Sequence, residues 1–393
     1  MRRSCIASLI AAGAISLALS GSTATAVAAS PRAASSIGTH LSELEGSDTV
    51  AGDYFGYSVA TSGTSAVVGA PGYGGHAGRA YVFTKTGAGW EQAAELKGSD
   101  TAAGDYFGYS VAISGMTAIV GAPGLARAYV FTKRGAGWKQ AAELKGSDTV
   151  AGDGFGDSVA ISGTSAVAGA DGHAKAAGRA YVFTKTGAGW AQAAELKGSD
   201  TVAGDLFGGS VTTSGTSAVV GASGHAGHAG RAYVFAKTGA GWAQAAELKA
   251  SDTAAGDYFG DSVATSGTSA VVGASGYARD AGRAYVFAKT GAGWKQVAEL
   301  KGSDTVAGDY FGDSLAMSGT TIVVGAPVFA KEAGQAYLFT NTASGWKQAA
   351  ELKGSGTVAG DGFGGSVAIS GTSAVAGADD HAKAAGRAYV FEA

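Results

Sequence analysis

A Gly-Asp-x-Phe-Gly pentapeptide returns seven times along this 393-residue chain, with its aspartates at Asp53, Asp105, Asp153, Asp205, Asp257, Asp309 and Asp361. Neighbouring copies lie 52 residues apart at every step but one, where the interval is 48. A period of this size belongs to arrays or closed rings of small units, each unable to cover its own apolar faces. Recurring positions therefore serve packing, and anything particular to this chain must lie where the copies differ.

One copy shows what the unit is. Phe55–Thr61 alternates large and small residues and reads as a first strand, Ser62–Ser65 as a tight turn, and Ala66–Ala70 as a second strand. A loop over Pro71–Gly78 leads to a third strand, Arg79–Phe83, and a glycine turn leads to a fourth, Trp90–Leu96. No stretch beyond the N-terminal segment has helical periodicity. Four short antiparallel strands per copy describe a propeller blade, so the expected fold is all-β, a seven-bladed β-propeller. Phe55 and Trp90 recur in register through the copies. Rings of this kind bury roughly 150–250 Å² each, which at about 25 cal/mol per Å² stabilises each blade boundary by several kcal/mol. Their expected role is core packing.

The two ends of the array are offset. The seventh copy stops at Tyr389-Val-Phe-Glu-Ala393, after its third strand, without a Trp-x-Gln-Ala-Ala-Glu-Leu segment. Part of that segment precedes the first copy, where Glu43-Leu-Glu-Gly-Ser-Asp48 matches Glu95-Leu-Lys-Gly-Ser-Asp100. A first strand at 41–46 that completes blade seven would close the ring and remove two exposed sheet edges. The propeller then spans 41–393.

Residues 1–29 read as a signal peptide: Arg2 and Arg3, an apolar run from Ile6 to Leu19, and the small residues Ala26-Val27-Ala28-Ala29. Residues 30–40 read as a linker. The apolar run has 14 residues, short of the ~20 that span a bilayer. The expectation is therefore a secreted, extracellular protein with no membrane span in the mature chain. Cys5 is the only cysteine and leaves with the leader, which removes disulfides and thiolate chemistry. Without Arg2 and Arg3, 26 basic residues face 31 acidic ones, a net charge of about −5. No basic run or stripe is present, which argues against a nucleic-acid partner. A monomer is expected.

The residues Gly52-Asp-Tyr-Phe-Gly-Tyr-Ser-Val-Ala60, Ala66-Val-Val-Gly-Ala-Pro-Gly72 and Ala80-Tyr-Val-Phe83 resemble the FG-GAP repeat, the unit of integrin α-chain propellers and of many secreted bacterial proteins. Phe-Gly and Gly-Ala-Pro stand together at 55–56 and 69–71, 107–108 and 121–123, and 311–312 and 325–327. The other four copies keep Gly-Ala and replace the proline by Asp171, Ser223, Ser275 or Asp379. The resemblance implies a seven-bladed propeller and, for members carrying Asp-x-Asp-x-Asp-Gly between the second and third strands, bound calcium. That motif is absent from this chain, so no cofactor is carried over. Asp48 with Asp53, and their counterparts Asp148 with Asp153 and Asp304 with Asp309, sometimes joined by Asp157, Asp261 or Asp313, are the alternative place for calcium. They are read here as side chains bonding backbone amides in a tight turn.

Variation concentrates in the loops between second and third strands, which should share a face with the blade-to-blade loops. Eight residues separate Gly121 from Tyr129, against twelve between Gly69 and Tyr81. The candidate ligand-binding residues are Tyr73, His76, His173, His225, His228, Tyr277, Asp280, Phe329, Asp379 and His381. His225 and His228 lack a nearby carboxylate in sequence and read as a solvated loop rather than a metal site. The Ser58 series reads as small-residue packing near the axis, not as nucleophiles, because an active site needs one asymmetric constellation. The Arg79 series is expected to pair with loop aspartates, with Gln335 breaking it. The functional expectation is a non-enzymatic propeller that binds an extracellular protein or surface polymer. A lectin-like glycan binder, with Tyr54, Tyr57, Tyr106, Tyr109, Tyr258 and Tyr310 as stacking faces, is the alternative, and a polysaccharide-active enzyme a further one.

Overall fold

The computed structural model describes residues 36–135 and 137–393. The expected leader and most of the linker lie outside the described residues. Seven four-stranded antiparallel sheets follow one another along the chain. In the first blade they are β2 (Ser58–Ser62), β3 (Ser65–Ala70), β4 (Arg79–Thr86) and β5 (Gly89–Leu96), paired in that order. Each tight turn keeps successive strands neighbours, so the blade is a plain meander.

The preceding strand, β1 (His40–Leu44), belongs to the last sheet, where it pairs with Arg387–Glu392. Its register, Glu43 opposite Tyr389 and Leu44 opposite Ala388, repeats that of Glu95 opposite Tyr81 and Leu96 opposite Ala80 within blade one. The N-terminal strand closes the ring as the offset repeats predict, beginning at His40 rather than residue 41.

Two boundaries differ from the sequence reading. The first-strand ladder opens at Ser58 rather than Phe55, because the Tyr57 amide donates to Tyr54 O (3.1 Å) and the chain turns there. In blades four and five the strand includes the phenylalanine, with an irregularity between Phe207 and Val211 or Phe259 and Val263. The loop after the second strand also holds one turn of helix, Tyr73–His76, wound left-handed: Gly74, Gly75 and His76 have φ of 60°, 71° and 67°. Four residues are too few to leave a helical period in the sequence.

The core lies between blades. Phe55, Tyr81 and Phe83 of blade one, all buried, meet Leu44, Ala368, Val375, Ala388 and Val390 of the last sheet. The Phe55 ring lies 5.5 Å from Tyr81 and 6.0 Å, edge-on, from Phe83, the geometry aromatic quadrupoles favour. Close approach needs glycine at one point. A Cβ on Gly69 would collide with the Gly108 carbonyl of the next blade.

Polar bonds lock the same boundaries. Ser58 Oγ donates to Gly108 O (2.8 Å), Ser110 to Gly156 O (2.7 Å), and so on around to Ser366, which donates to Gly56 O (2.6 Å). The serine series is thus a ring of blade-to-blade hydrogen bonds as well as small-residue packing. Buried Tyr81 donates to Asp48 Oδ1 (2.8 Å), while Asp53 Oδ2 accepts from the Val50 amide (2.8 Å). Only the second aspartate of each pair therefore plays the turn-bonding role expected of both. The arginines pair with fourth-strand glutamates and not with loop aspartates: Arg179 with Glu195 (2.7 Å) and Arg231 with Glu247 (2.6 Å). Antiparallel register pairs Tyr181 with Glu195, and Arg179, two residues before Tyr181 on the same face, reaches that glutamate diagonally, whereas the aspartates are held by tyrosines. Arg387 pairs with Glu43 (2.8 Å) across the seam, which reproduces the contact where the ring closes. Among the described residues no helix is long and apolar enough to cross a membrane.

Candidate binding face

The left-handed turns explain why the variable loops and the blade-to-blade loops share a face. In blade one the carbonyls of Gly75, His76 and Ala77 accept from the amides of Gly104 (3.2 Å), Tyr106 (2.8 Å) and Phe107 (3.3 Å) in blade two. Each loop thereby clasps its neighbour. The last loop clasps the first blade, with Tyr54 N donating to Ala384 O (2.8 Å) and Phe55 N to Ala385 O (3.2 Å). Gly78 and its counterparts bridge to the next blade's phenylalanine at six boundaries.

Six of the ten candidate residues occupy one repeat position, the start of that turn, and the structure turns them inward. Tyr73 donates to Asp48 (2.9 Å) and Tyr277 to Asp252 (3.0 Å), each under an arginine guanidinium, 4.5 Å and 4.8 Å from the ring centre. His173, His225 and His381 place Nδ1 at 2.9, 3.0 and 2.8 Å from Asp153, Asp205 and Asp361. Phe329 packs into the cluster around Phe311 and Tyr337. Three more candidates sit three residues further on and face the next blade. His76 lies 4.9 Å from the Tyr106 ring and His228 4.7 Å from Tyr258, while Asp280 pushes the Tyr310 phenol up. His225 and His228 therefore serve different neighbours. Among the described residues, no three His, Cys, Asp or Glu side chains are placed to hold a metal ion.

The tenth candidate, Asp379, lies beside Gly365, which lines a different feature, the mouth of the central channel. This opening, about 280 Å³, is lined two residues after six of the seven repeat phenylalanines, by Tyr57, Tyr109, Asp157, Gly209, Asp261 and Gly365. It is lopsided. Tyr57 and Tyr109 meet at 4.9 Å on one side with their planes tilted by 45°, and burial pushes the Tyr57 phenol far above its usual range. Asp157, Asp261 and Asp313 mark the same repeat position in other blades. Burial, helped by the charges of Asp261 and Asp379, lifts Asp313 to about 7. Burial and neighbouring Asp380 lift Asp379 to about 6. Asp157 rises too, through burial and the adjoining Asp171 carboxyl. In the sequence Asp157, Asp261 and Asp313 belong with the blade-to-blade loops and Asp379 with a variable loop. That Asp157 and Asp261 line the mouth was signalled by one variable position just after the pentapeptide.

One boundary stands apart. The shortened loop of blade two, Pro123–Leu125, makes no backbone hydrogen bond to blade three, although the following Ala126 packs in the cluster around Phe155. Where the other loops clasp, a crevice of about 400 Å³ is lined by Tyr106, Tyr109, Pro123, Gly124, Gly154 and Asp157. Its floor is Gly154 (φ 70°), where blades one, two, five and six carry tyrosine. A Cβ there would collide with Asp157 Oδ2 and lie 2.8 Å from Asp171 Oδ1, so the glycine lets the two carboxyls meet.

A family model described as the FG-GAP repeat matches the chain over residues 39–83, 90–131, 138–183, 190–235, 242–287, 294–339 and 346–391. A search among curated proteins found no match.

Proposed function

The chain belongs to the FG-GAP repeat family, and from that premise we propose that it is a secreted, non-enzymatic propeller that holds an extracellular protein or surface polymer on its loop face. FG-GAP repeats are typical of extracellular proteins. The observation that carries the reading is the confinement of diversity to one face. Ser-Gly-Thr-Ser and Thr-Gly-Ala-Gly turns barely change between copies, whereas the loops at 71–78, 123–126 and 223–229 differ in length, charge and aromatic content. A rigid frame with adaptable loops is the usual arrangement for binding. Catalysis has less support. The repeated serine hydroxyls already donate to neighbouring carbonyls, so among the described residues this series offers no singular nucleophile.

Exchanging the loops at 71–78 and 223–229 for each other should abolish capture of a partner pulled down from extracellular material, with the fold intact by circular dichroism. Unaltered capture by the exchanged protein counts against the reading. The Tyr57–Tyr109 pair beside the acidic side of the channel mouth favours a second reading, a glycan ligand stacked on the rings. Binding on a glycan array that Tyr109→Ala removes would establish it, and silence at millimolar ligand would dismiss it.

A further inference from the structure

Six of the seven blade boundaries are sealed by the same three backbone hydrogen bonds or most of them, and the boundary between blades two and three has none. The amides of Gly152, Gly154 and Phe155, counterparts of Gly104, Tyr106 and Phe107, meet no acceptor among the described residues. Phe155 is fully buried, so its N–H cannot be left to bulk water without cost. The crevice beside these donors is the room that the missing four residues of the loop would fill. Gly152 and Gly154 line it together with the rings of Tyr106 and Tyr109, and Phe155 follows Gly154 directly in the chain.

We propose that this crevice receives a short loop of a partner protein, made of small residues with one basic side chain, whose carbonyls take the amides of Gly152, Gly154 and Phe155 as the clasping loops do elsewhere in the ring. Small residues fit because the clasp is wound left-handed and lies close to Gly152 and Gly154. The basic side chain is drawn to the meeting carboxyls of Asp157, which lines the crevice, and Asp171, because a cation there takes the place of the proton that burial and Asp171 hold on Asp157. A second copy of this chain is a poor donor, because each of its six long loops is already engaged in its own ring. The Asp157 carboxyl also faces the channel mouth, so a bound loop would lie at the edge of the proposed binding face. The inference rests on the binding reading above and specifies where one partner element docks.

The chain supplies its own probe. The blade-three loop Gly172-His-Ala-Lys-Ala-Ala-Gly178 clasps blade four, and the corresponding acetylated, amidated heptapeptide carries the required carbonyls and one lysine. Titrated into the full chain, it should bind saturably in the millimolar range or tighter. Hydrogen exchange at Gly152, Gly154 and Phe155 should slow, with no change at Gly104, Tyr106 and Phe107. Giving blade two the four residues it lacks, so that its own loop fills the seat, should weaken peptide binding by more than about tenfold. Asp157→Asn should weaken the lysine peptide more than its alanine analogue. Absence of binding at millimolar peptide, equal binding to the lengthened variant, or protection elsewhere than at the three amides overturns the proposal. A partner that the loop exchange releases while the heptapeptide fails to bind would refute this inference alone.

Discussion

The boundary between blades one and two and the boundary between blades two and three share a core and differ in their lid. At both, a phenylalanine (Phe107 or Phe155) is fully buried against a tyrosine and a second phenylalanine, 5.6 Å and 6.0 Å away in one case, 5.6 Å and 6.1 Å in the other. At both, a serine hydroxyl reaches a glycine carbonyl of the next blade. Above that level they part. The first boundary has a clasping loop and a histidine–tyrosine stack, and the second has a glycine floor, two meeting carboxyls and three idle amides. Stability and individuality are carried on separate layers of one ring. The buried layer can stay constant while the lid is edited, because the lid contributes a few hydrogen bonds and little apolar burial.

The sharpest test of that separation is in the core. Phe107→Ala and Phe155→Ala each remove a fully buried ring, and each should cost about 3–5 kcal/mol. If the cores are equivalent, the two losses in urea denaturation should agree within experimental scatter. A much smaller loss at Phe155 would mean that the open lid has loosened the core beneath it, and the layered account would fail. A smaller effect distinguishes the lids by pH. Asp157 has a carboxyl pKa raised above its ordinary value by burial and by Asp171, whereas its counterpart at the sealed boundary is Tyr109. The folded state then holds a proton that the unfolded chain releases near pH 4. The Asp157 contribution is thus fully present at low pH and is lost as pH rises through the raised value. Between roughly pH 4 and 7.5 stability should fall by about 1–2 kcal/mol more in the parent than in Asp157→Asn. Thermal melts across that window decide it, and parallel profiles for the two proteins would show that the pair is not coupled to folding.

The ring itself was legible because its determinants are periodic and local. Seven pentapeptides, alternating strands, glycine turns and an offset between the ends dictate blade number and closure. The site was legible only in outline. The loops were recognisable as variable, yet the direction each side chain takes depends on partners far along the chain. Tyr73 bonds Asp48 and His173 bonds Asp153, so residues that look available in sequence are spent inside their own blades. The arginines were misassigned for a related reason. Their glutamate partners lie 16 residues away and become neighbours only once the third and fourth strands are in register. Glycine at 154 carried the strongest missed signal: a small residue where four copies have tyrosine marks space, and the shortened loop beside it marks more.

The clasp offers the finest test, because it holds non-glycine residues where L-amino acids are strained. In blade three Ala174, Lys175 and Ala176 have φ of 53°, 62° and 60°, a full left-handed turn without a glycine. Blade one uses Gly74 and Gly75 at the first two of these positions, and a Cβ on Gly74 would meet nothing closer than Ala77 Cβ at 3.9 Å. Side-chain packing therefore does not distinguish glycine from alanine at this place, and only the backbone does. Left-handed conformation costs an alanine about 1–2 kcal/mol, while glycine gives back about 0.4–1 kcal/mol through the greater freedom of its unfolded chain. Ala174→Gly should accordingly stabilise the protein by about 0.5 kcal/mol, and Gly74→Ala should destabilise it by a similar amount. Paired urea titrations read both. If Ala174→Gly destabilises instead, the turn is not held against its own preference by the three bonds it makes to Gly204, Leu206 and Phe207, and those bonds could not be what the shortened loop of blade two has given up.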